Sequence, residues 1–459
     1  MQSSDLVIVS NRGPVSFGRA ARGGLEATKG GGGGLVSSVG PLIEGSGALW
    51  VAAAMSEGDR EAAAAGVIDA EGFRVRSLAI DPAVYRMAYD VIANGTLWFL
   101  HHGLFDLSRR PHIDRRWREA WEGYRAYNQA FAEAVAESAP DDATVLVQDY
   151  HLALFAPLAA KQRPDLKLVH FSHTPFCGPN SIRVLPLEVA EELLTSMSTF
   201  RACGFHSERW GRAFTASSRE VGIEPPPTFV APLSPDVRDF EAMIGSDEAA
   251  AEREWLDHVL AGRRMILRVD RIELSKNILR GFLAYEDLLR SRPDLRGEVV
   301  FVALVYPSRE RLPAYQAYRT EVETLAARIN ADFGSTDWQP VVLDTEDNFV
   351  RSAVALSRYD VLLVNPVKDG LNLVALEGAL INRIDGVVAL SRDAGAWDLI
   401  GGPALEVNPF DISGTAEVLG RALDMAAGER ATRAADLHAA ATRRPPRQWL
   451  DDQLEAARR

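Results

Sequence analysis

Near the C-terminus of this 459-residue chain, an aspartate in a turn precedes a glutamate on what reads as the following helix. The stretch is Asp360-Val-Leu-Leu-Val-Asn-Pro-Val-Lys-Asp-Gly-Leu-Asn-Leu-Val-Ala-Leu-Glu377. Val361 to Val364 is too short for a helix and rich in β-branched residues, which predicts a buried strand. Pro366 ends it, Lys368-Asp369-Gly370 reads as a turn, and Leu373 to Leu380 as a helix. In open α/β sheets such turns lie at the carboxyl ends of the strands, where ligands bind. The N–H groups at Leu373 and its neighbours are then available to an anion. Glu377 follows Leu373 by four residues and shares its face. A phosphate at the helix tip would leave Asp369 and Glu377 to hold two sets of hydroxyls, a layout that suits a sugar nucleotide. An acid in such a turn also serves as a plain N-cap, so the stretch alone does not decide the function.

Other polar residues fall at comparable places. Arg264 to Val269 reads as a strand, and Arg271 and Lys276 follow it in a loop before a helix over Ile278 to Leu289. Two cations there form an anion site, or pair with Asp270 and Glu273. Strands over Val299–Val305, Trp338–Leu343 and Gly386–Leu390 complete five strand–helix units, and Arg309 lies just past the first of these three. In the first half, Arg12 follows the strand Asp5–Ser10, Asp149 ends the strand Thr144–Asp149, and His173 follows Leu166–Phe171. Asp149 and His173 thus end strands separated by a helix, the usual neighbours of a parallel sheet. Lys29 and the glycines Gly30 to Gly34 lead towards a helix, as a phosphate cradle or a flexible linker. Tyr89 and Trp98 read as core or as the wall of a sugar pocket. His101 and His102 have no third ligand at helical or hairpin spacing, so no metal is expected. The aromatic stripe over residues 115–138 is the buried face of a helix.

The prolines at 225–227, 232 and 235 mark a boundary. The reading is α/β with two doubly wound domains, 1–235 and 236–440, and a helical tail, 441–459, packing back on the first. Fifty basic against 63 acidic residues give a net charge of −13, which argues against nucleic acid and membrane surfaces as partners. A phosphorylated ligand would therefore need a local cluster of Arg and Lys. No apolar run reaches the roughly 18 residues of a membrane span, and no signal peptide is visible. Cys177 and Cys203 are too few for a disulfide framework, so a reducing, cytoplasmic setting is expected.

Several short motifs then agree: Ser10-Asn-Arg-Gly-Pro14, Gly33-Gly-Leu35, Asn94-Gly-Thr-Leu-Trp98, Gln148-Asp-Tyr-His-Leu152, His173-Thr-Pro-Phe176, Arg271 to Lys276 ending in Ser-Lys, Pro307-Ser-Arg309, and D-G-x-N-L-V-x-x-E from Asp369 to Glu377. In this order the set resembles the trehalose-6-phosphate synthases, retaining glycosyltransferases of family 20. That resemblance implies a GT-B fold, two Rossmann-like domains with the active site in the cleft. It implies glucose transfer from a nucleoside-diphosphate glucose to glucose 6-phosphate, with no cofactor. Arg271, Lys276 and the N–H groups of Leu373 and Val374 would hold the donor's diphosphate. Asp369, Gly370 and Asn372 would take the glucose hydroxyls, Glu377 the ribose, and the loop at Gly33 and Gly34 would close over the donor. Arg12, Tyr89, Trp98 and Arg309 would surround the acceptor phosphate, with Asp149 also touching the acceptor and His173 lining the reacting sugars. The chain departs from the family wording at Ile272-Glu-Leu274, Asn277, Gln148 and Cys177-Gly178. The base therefore stays open between UDP and GDP, and so does homo-oligomerisation. A pseudo-glycosyltransferase joining cyclitols and a non-catalytic regulatory relative are the rival readings. The intact pair Arg271 and Lys276 speaks against the second.

Overall fold

The apolar runs that predict strands do form strands, and they assemble into two sheets of one pattern. The structure, a computed structural model, describes residues 5–19, 24–29 and 34–459. The chain divides into two units, Met1–Leu233 with Pro446–Arg459, and Ser234–Pro445.

In the first unit the main sheet has the order Thr228–Val230, Ala202–Phe205, Lys167–Ser172, Thr144–Gln148, Leu6–Ser10, Leu49–Ala53, Phe73–Leu78, Val67–Ala70. All pairs are parallel except the last. The central strands Leu6–Ser10 and Thr144–Gln148 are buried along their whole length, as a parallel sheet covered on both faces requires. From Leu6–Ser10 the chain moves in one direction to Leu49–Ala53 and then to the edge pair Val67–Ala70 and Phe73–Leu78, the later strand lying inside the earlier one. The chain then returns to the other side of Leu6–Ser10 at Thr144–Gln148 and continues the opposite way. The crevice at such a reversal is the ligand position of doubly wound sheets. Arg12 leaves one of the two flanking strands and Asp149 the other.

Two elements were not expected. Val15–Arg19 and Leu25–Lys29 pair as antiparallel strands, in a stretch for which the sequence reading named no strand. The alternation of Val15 and Phe17 with exposed partners drives it, since both pack against Ala62, Phe73 and Val75. Met87–Leu97 winds as a π-helix, a wide turn often found at functional sites. The side chains of Asn94 and Thr96 follow the same five-residue reach, donating to the carbonyls of Tyr89 (3.0 Å) and Val91 (2.9 Å). A side chain at Gly95 would stand 2.7 Å from the Asp90 carbonyl oxygen, so glycine is required. The C-terminal helix Gln448–Ala456 belongs to this unit: Trp449 is fully buried, its ring edge-on to Phe171 at 5.3 Å.

The second unit carries the sheet Val341–Asp344, Val299–Pro307, Arg264–Ile272, Val361–Val364, Val387–Ser391, Leu405–Val407, parallel throughout. Counted within the unit this is 3-2-1-4-5-6, the dinucleotide-fold order, with its reversal between Arg264–Ile272 and Val361–Val364. The sixth strand, only three residues long, has no run by which the sequence could announce it. Arg264–Ile272 pairs with Val299–Pro307 over nine residues, so Arg271 stands inside the strand opposite Tyr306 rather than in the loop after it. Among the described residues no helix is long and apolar enough to cross a membrane.

Candidate active site

In the second unit the reversal point gathers alternating charges. Arg268 is wholly buried and donates through Nε to Asp270 at 2.9 Å; a second guanidinium nitrogen reaches the Lys276 carbonyl. Lys276 Nζ lies 3.6 Å from Asp270 and donates to Asp369 Oδ2 at 2.7 Å. Burial opposes the Lys276 charge, but Asp369 and Asp270 outweigh it and hold the ammonium above its usual range. Burial also raises the Asp270 carboxyl, against the pull of Arg268 and Lys276.

Asp369 is fixed by its backbone as much as by its charge. Its N–H donates to the Asp393 carbonyl at 3.2 Å, and its own carbonyl accepts from Gly395 N at 3.1 Å. A Cβ at Gly395 would fall 2.0 Å from the Gly370 oxygen, so the two loops can close only over a glycine. Asn372, left-handed at φ 76°, caps the helix Leu373–Ile381 by accepting from Ala375 N at 3.2 Å. Its amide also donates to Asp369 Oδ2 at 3.1 Å. Leu373 and Val374 form the first turn, half-buried. Glu377 stands one turn on, half-buried, its carboxyl pushed up to about 7 by burial, with Lys276 pulling the other way. Arg271, Lys276, Asp369, Gly370, Asn372, Leu373, Val374 and Glu377 thus belong to two adjacent strand ends.

Glu273, 2% exposed at its side chain, ties in the remaining cations. The same carboxylate oxygen receives Arg271 at 3.2 Å, Arg309 at 2.8 Å and the Ser308 hydroxyl at 3.1 Å. Arg309 also donates to the Tyr315 hydroxyl at 2.8 Å and has a left-handed backbone, φ 49°.

In the first unit Arg12 is exposed, and its carbonyl is held by the Ser10 hydroxyl at 2.6 Å, itself a partner of the Trp50 indole. Tyr89 is half-buried between the rings of Tyr85 and His151, stacked at 5.2 and 5.5 Å. Trp98 is 2% exposed and lies against His102 at 4.3 Å, so within this unit it is core. Asp149 and His173 do meet: the His173 N–H donates to Asp149 Oδ1 at 3.3 Å. Asp149 has φ 68° and ψ 170°, a region almost confined to glycine.

Both ring nitrogens of His173 have partners, His206 Nε2 at 3.1 Å and Gln148 Oε1 at 3.0 Å. Gln148 in turn donates to Gln453 of the C-terminal helix at 3.4 Å. The Leu233 N–H donates to His206 Nδ1, so His206 presents Nε2–H to His173, and His173 presents Nε2–H to Gln148. Burial, with His206 and His170 adding to it, holds the His173 ring neutral. His170 and His206 were not singled out from the sequence, and Glu273 was named there only as a pairing partner for Arg271 and Lys276, which for Arg271 it is. His206 follows its strand as His173 follows its own, so the same rule applied to Phe205-His206 finds it. Gly34 opens the helix Gly34–Ile43, while Gly33 lies outside the described residues. No group of three or more His, Cys, Asp or Glu with metal-binding geometry occurs among the described residues.

The sequence profile of glycosyltransferase family 20 matches residues 4–459. A bifunctional trehalose-6-phosphate synthase/phosphatase of Thermoproteus tenax is 30% identical over 381 residues, covering 78% of this chain. The chain spans about half, 51%, of that relative's length. A trehalose-6-phosphate synthase of Salmonella typhimurium is 30% identical over 463 residues, with 95% of this chain and 91% of the relative covered. Among solved structures, a UDP-forming α,α-trehalose-phosphate synthase of Burkholderia xenovorans in complex with glucose-6-phosphate superposes with a TM-score of 0.86 at 26% identity, over 99% of this chain and all of that one. With two doubly wound parallel sheets of the GT-B class and a profile match that leaves out only its first three residues, the chain belongs to glycosyltransferase family 20.

Proposed function

We propose that this chain transfers glucose from a nucleoside-diphosphate glucose, with UDP or GDP as the nucleotide, to glucose 6-phosphate. The product is α,α-trehalose 6-phosphate, formed with retention of the anomeric configuration. The observation that carries this reading is the contact of Lys276 with Asp369 at the reversal point of the second sheet, in a member of this family. Bond cleavage leaves a nucleoside diphosphate, and charge grows on its β-phosphate. Lys276, Arg271 and the N–H groups of Leu373 and Val374 are placed to stabilise that charge as it grows. A diphosphate that takes the Lys276 ammonium releases Asp369 towards the sugar hydroxyls, beside Gly370 and Asn372. Glu377, its carboxyl protonated well above the usual acid range, can donate to a ribose hydroxyl as well as accept. Gly33 and Gly34 are assigned to the donor, and Arg12, Tyr89, Trp98, Asp149 and Arg309 to the acceptor. His173, with both ring nitrogens engaged, serves by orienting Asp149 through its N–H. The leaving phosphate takes the acceptor's proton, so positioning and fixed charge do the work of a nucleophile.

The test is nucleoside diphosphate release from UDP-, GDP- and ADP-glucose, each with glucose or glucose 6-phosphate, and proton NMR of the product. Release with glucose 6-phosphate alone and an α,α-linked product is expected. Equal turnover of the two acceptors, or a β linkage, would overturn the proposal.

A further inference from the structure

Asp149 is an odd residue to find at φ 68° and ψ 170°, because its Cβ disfavours that conformation. Something must hold it there. Its N–H still pairs with the neighbouring strand, donating to the Phe171 carbonyl at 2.7 Å. Its own carbonyl is turned away from the ladder that ends at Gln148 and Phe171, and is met instead by His170 Nε2 at 3.2 Å and by the Leu152 N–H at 3.3 Å. A carbonyl inside a protein needs a donor. His170 has no exposed surface and lies against Phe200, ring centroids 5.1 Å apart, so it touches no substrate. Since the carbonyl can only accept, Nε2 carries the proton, and Nδ1 then accepts from the Ser172 hydroxyl at 3.4 Å. Burial keeps the ring neutral until about pH 4, so this arrangement persists at physiological pH.

We propose that His170 is a positioning residue: by holding the carbonyl of Asp149 it fixes the turned-out peptide that aims the Asp149 carboxylate at the acceptor. The proposal rests on the acceptor role assigned to Asp149 above. Four bonds then hold one residue: Phe171 takes its N–H, His170 and the Leu152 N–H hold its carbonyl, and His173 N–H steadies its carboxylate. Without the His170 bond the carbonyl is left to the longer contact with Leu152 N–H, and the peptide can relax towards ordinary backbone and swing the carboxylate away. A merely structural histidine would affect stability alone.

The variants His170→Gln, His170→Asn and His170→Leu separate the two. A glutamine amide reaches the position of Nε2, an asparagine amide only that of Nδ1, and leucine offers no donor. His170→Leu and His170→Asn should lower kcat/KM for glucose 6-phosphate about tenfold, the worth of one buried hydrogen bond, while His170→Gln stays within about threefold. Calorimetric Kd for UDP- or GDP-glucose should stay within about twofold in all three, because the residues assigned to the donor's diphosphate, sugar and ribose lie in the other unit. If His170→Leu folds poorly, the comparison of Asn with Gln decides, since both are polar and differ in reach. Equal acceptor kinetics in those two, or wild-type kinetics in a folded His170→Leu, would overturn the proposal. Asp149→Asn run alongside keeps the two levels apart. Unchanged acceptor kinetics there sink the acceptor reading itself, whereas an impaired Asp149→Asn beside a normal His170→Leu sinks only the positioning role.

Discussion

The backbone of Asp149 makes a prediction about stability that can be set against its effect on activity. Compare Asp149→Gly with Asp149→Ala. Both lose the carboxylate and with it the bond from His173 N–H, so that loss cancels between them. They differ in what φ 68° and ψ 170° demand. Alanine keeps the Cβ and the strain, which for such a region is about 1–3 kcal/mol. Glycine removes it but brings a more flexible unfolded chain, which costs about 0.4–1 kcal/mol. The glycine variant should therefore be the more stable of the two by about 1 kcal/mol, or about 2–4 °C in Tm for a unit of this size. Urea unfolding at equal protein concentration, followed by tryptophan fluorescence, measures the difference. Nucleoside diphosphate release with saturating donor measures the activity, which should fall severely in both. An alanine variant as stable as the glycine variant would refute the strain, and with it the argument that this peptide is held against its preference.

Lys276→Ala should lower kcat by about 10²–10³-fold, the usual cost of removing one donor from a developing oxyanion, with a smaller change in KM for glucose 6-phosphate; near-normal kcat in folded protein would reject its role. For Glu377 the sign runs opposite to that of a salt-bridged acid. Its proton is held more tightly in the folded state, so its contribution is complete below pH 4.5 and is lost as pH rises to about 7. Glu377→Gln should therefore be close to neutral at pH 4.5 and stabilising at pH 8 relative to the native residue, by up to about 3 kcal/mol at 1.36 kcal/mol per pH unit. Parallel urea curves at the two pH values would contradict this. Turnover should survive excess EDTA, because Arg271 and Lys276 bring the positive charge the diphosphate needs; loss on chelation, restored by Mg²⁺ or Mn²⁺, would count against it.

What could be read from the chain follows the physics of burial. Val361–Val364, buried on both faces, shows as an unbroken apolar run, and its strand–turn–helix unit stands where the residues predict. The helix Arg115–Ser138 announces itself by an aromatic stripe; the structure adds Asp114, which caps it by accepting from Trp117 N. The antiparallel pair of Val15–Arg19 and Leu25–Lys29 was harder, because only Val15 and Phe17 alternate inward and Gly18 follows at once. The π-helix has no period that a 3.6-residue template detects. Arg271 was assigned to a loop because its strand runs on past Val269 through polar residues, held by pairing with Val299–Pro307 rather than by apolar character.

Backbone sign was the other thing no composition or period reveals, and it divides by position in a way that bears on function. Eight residues other than glycine have positive φ among those described. Asp142, Ala261 and Asp385 lie just before the strands Thr144–Gln148, Arg264–Ile272 and Val387–Ser391, and Glu71 lies between two paired strands. These are tight turns on the side of the sheet away from ligands. Asp149, Asn277, Arg309 and Asn372 lie just past the carboxyl ends of Thr144–Gln148, Arg264–Ile272, Val299–Pro307 and Val361–Val364. Asn tolerates left-handed backbone best, and two of these four are Asn, while Asp149 stands in the region nearly confined to glycine. Arg309 does not tolerate left-handed backbone well, and its side chain is pinned twice, to Glu273 and to Tyr315. Ordinary backbone after a strand leads the chain into its next helix and turns side chains towards the core. A left-handed residue there breaks that course and leaves its own side chain, or its neighbour's, at the rim. Asp149 and Arg309 use this directly; Asn372 holds Asp369, and Asn277 ties the loop of Lys276 to the carbonyls of Asn365 and Pro409. The residues assigned to chemistry in both units therefore depend on local conformations that the fold must enforce, and the buried groups that enforce them, His170 and Glu273 foremost, belong to the site as much as the groups at its rim.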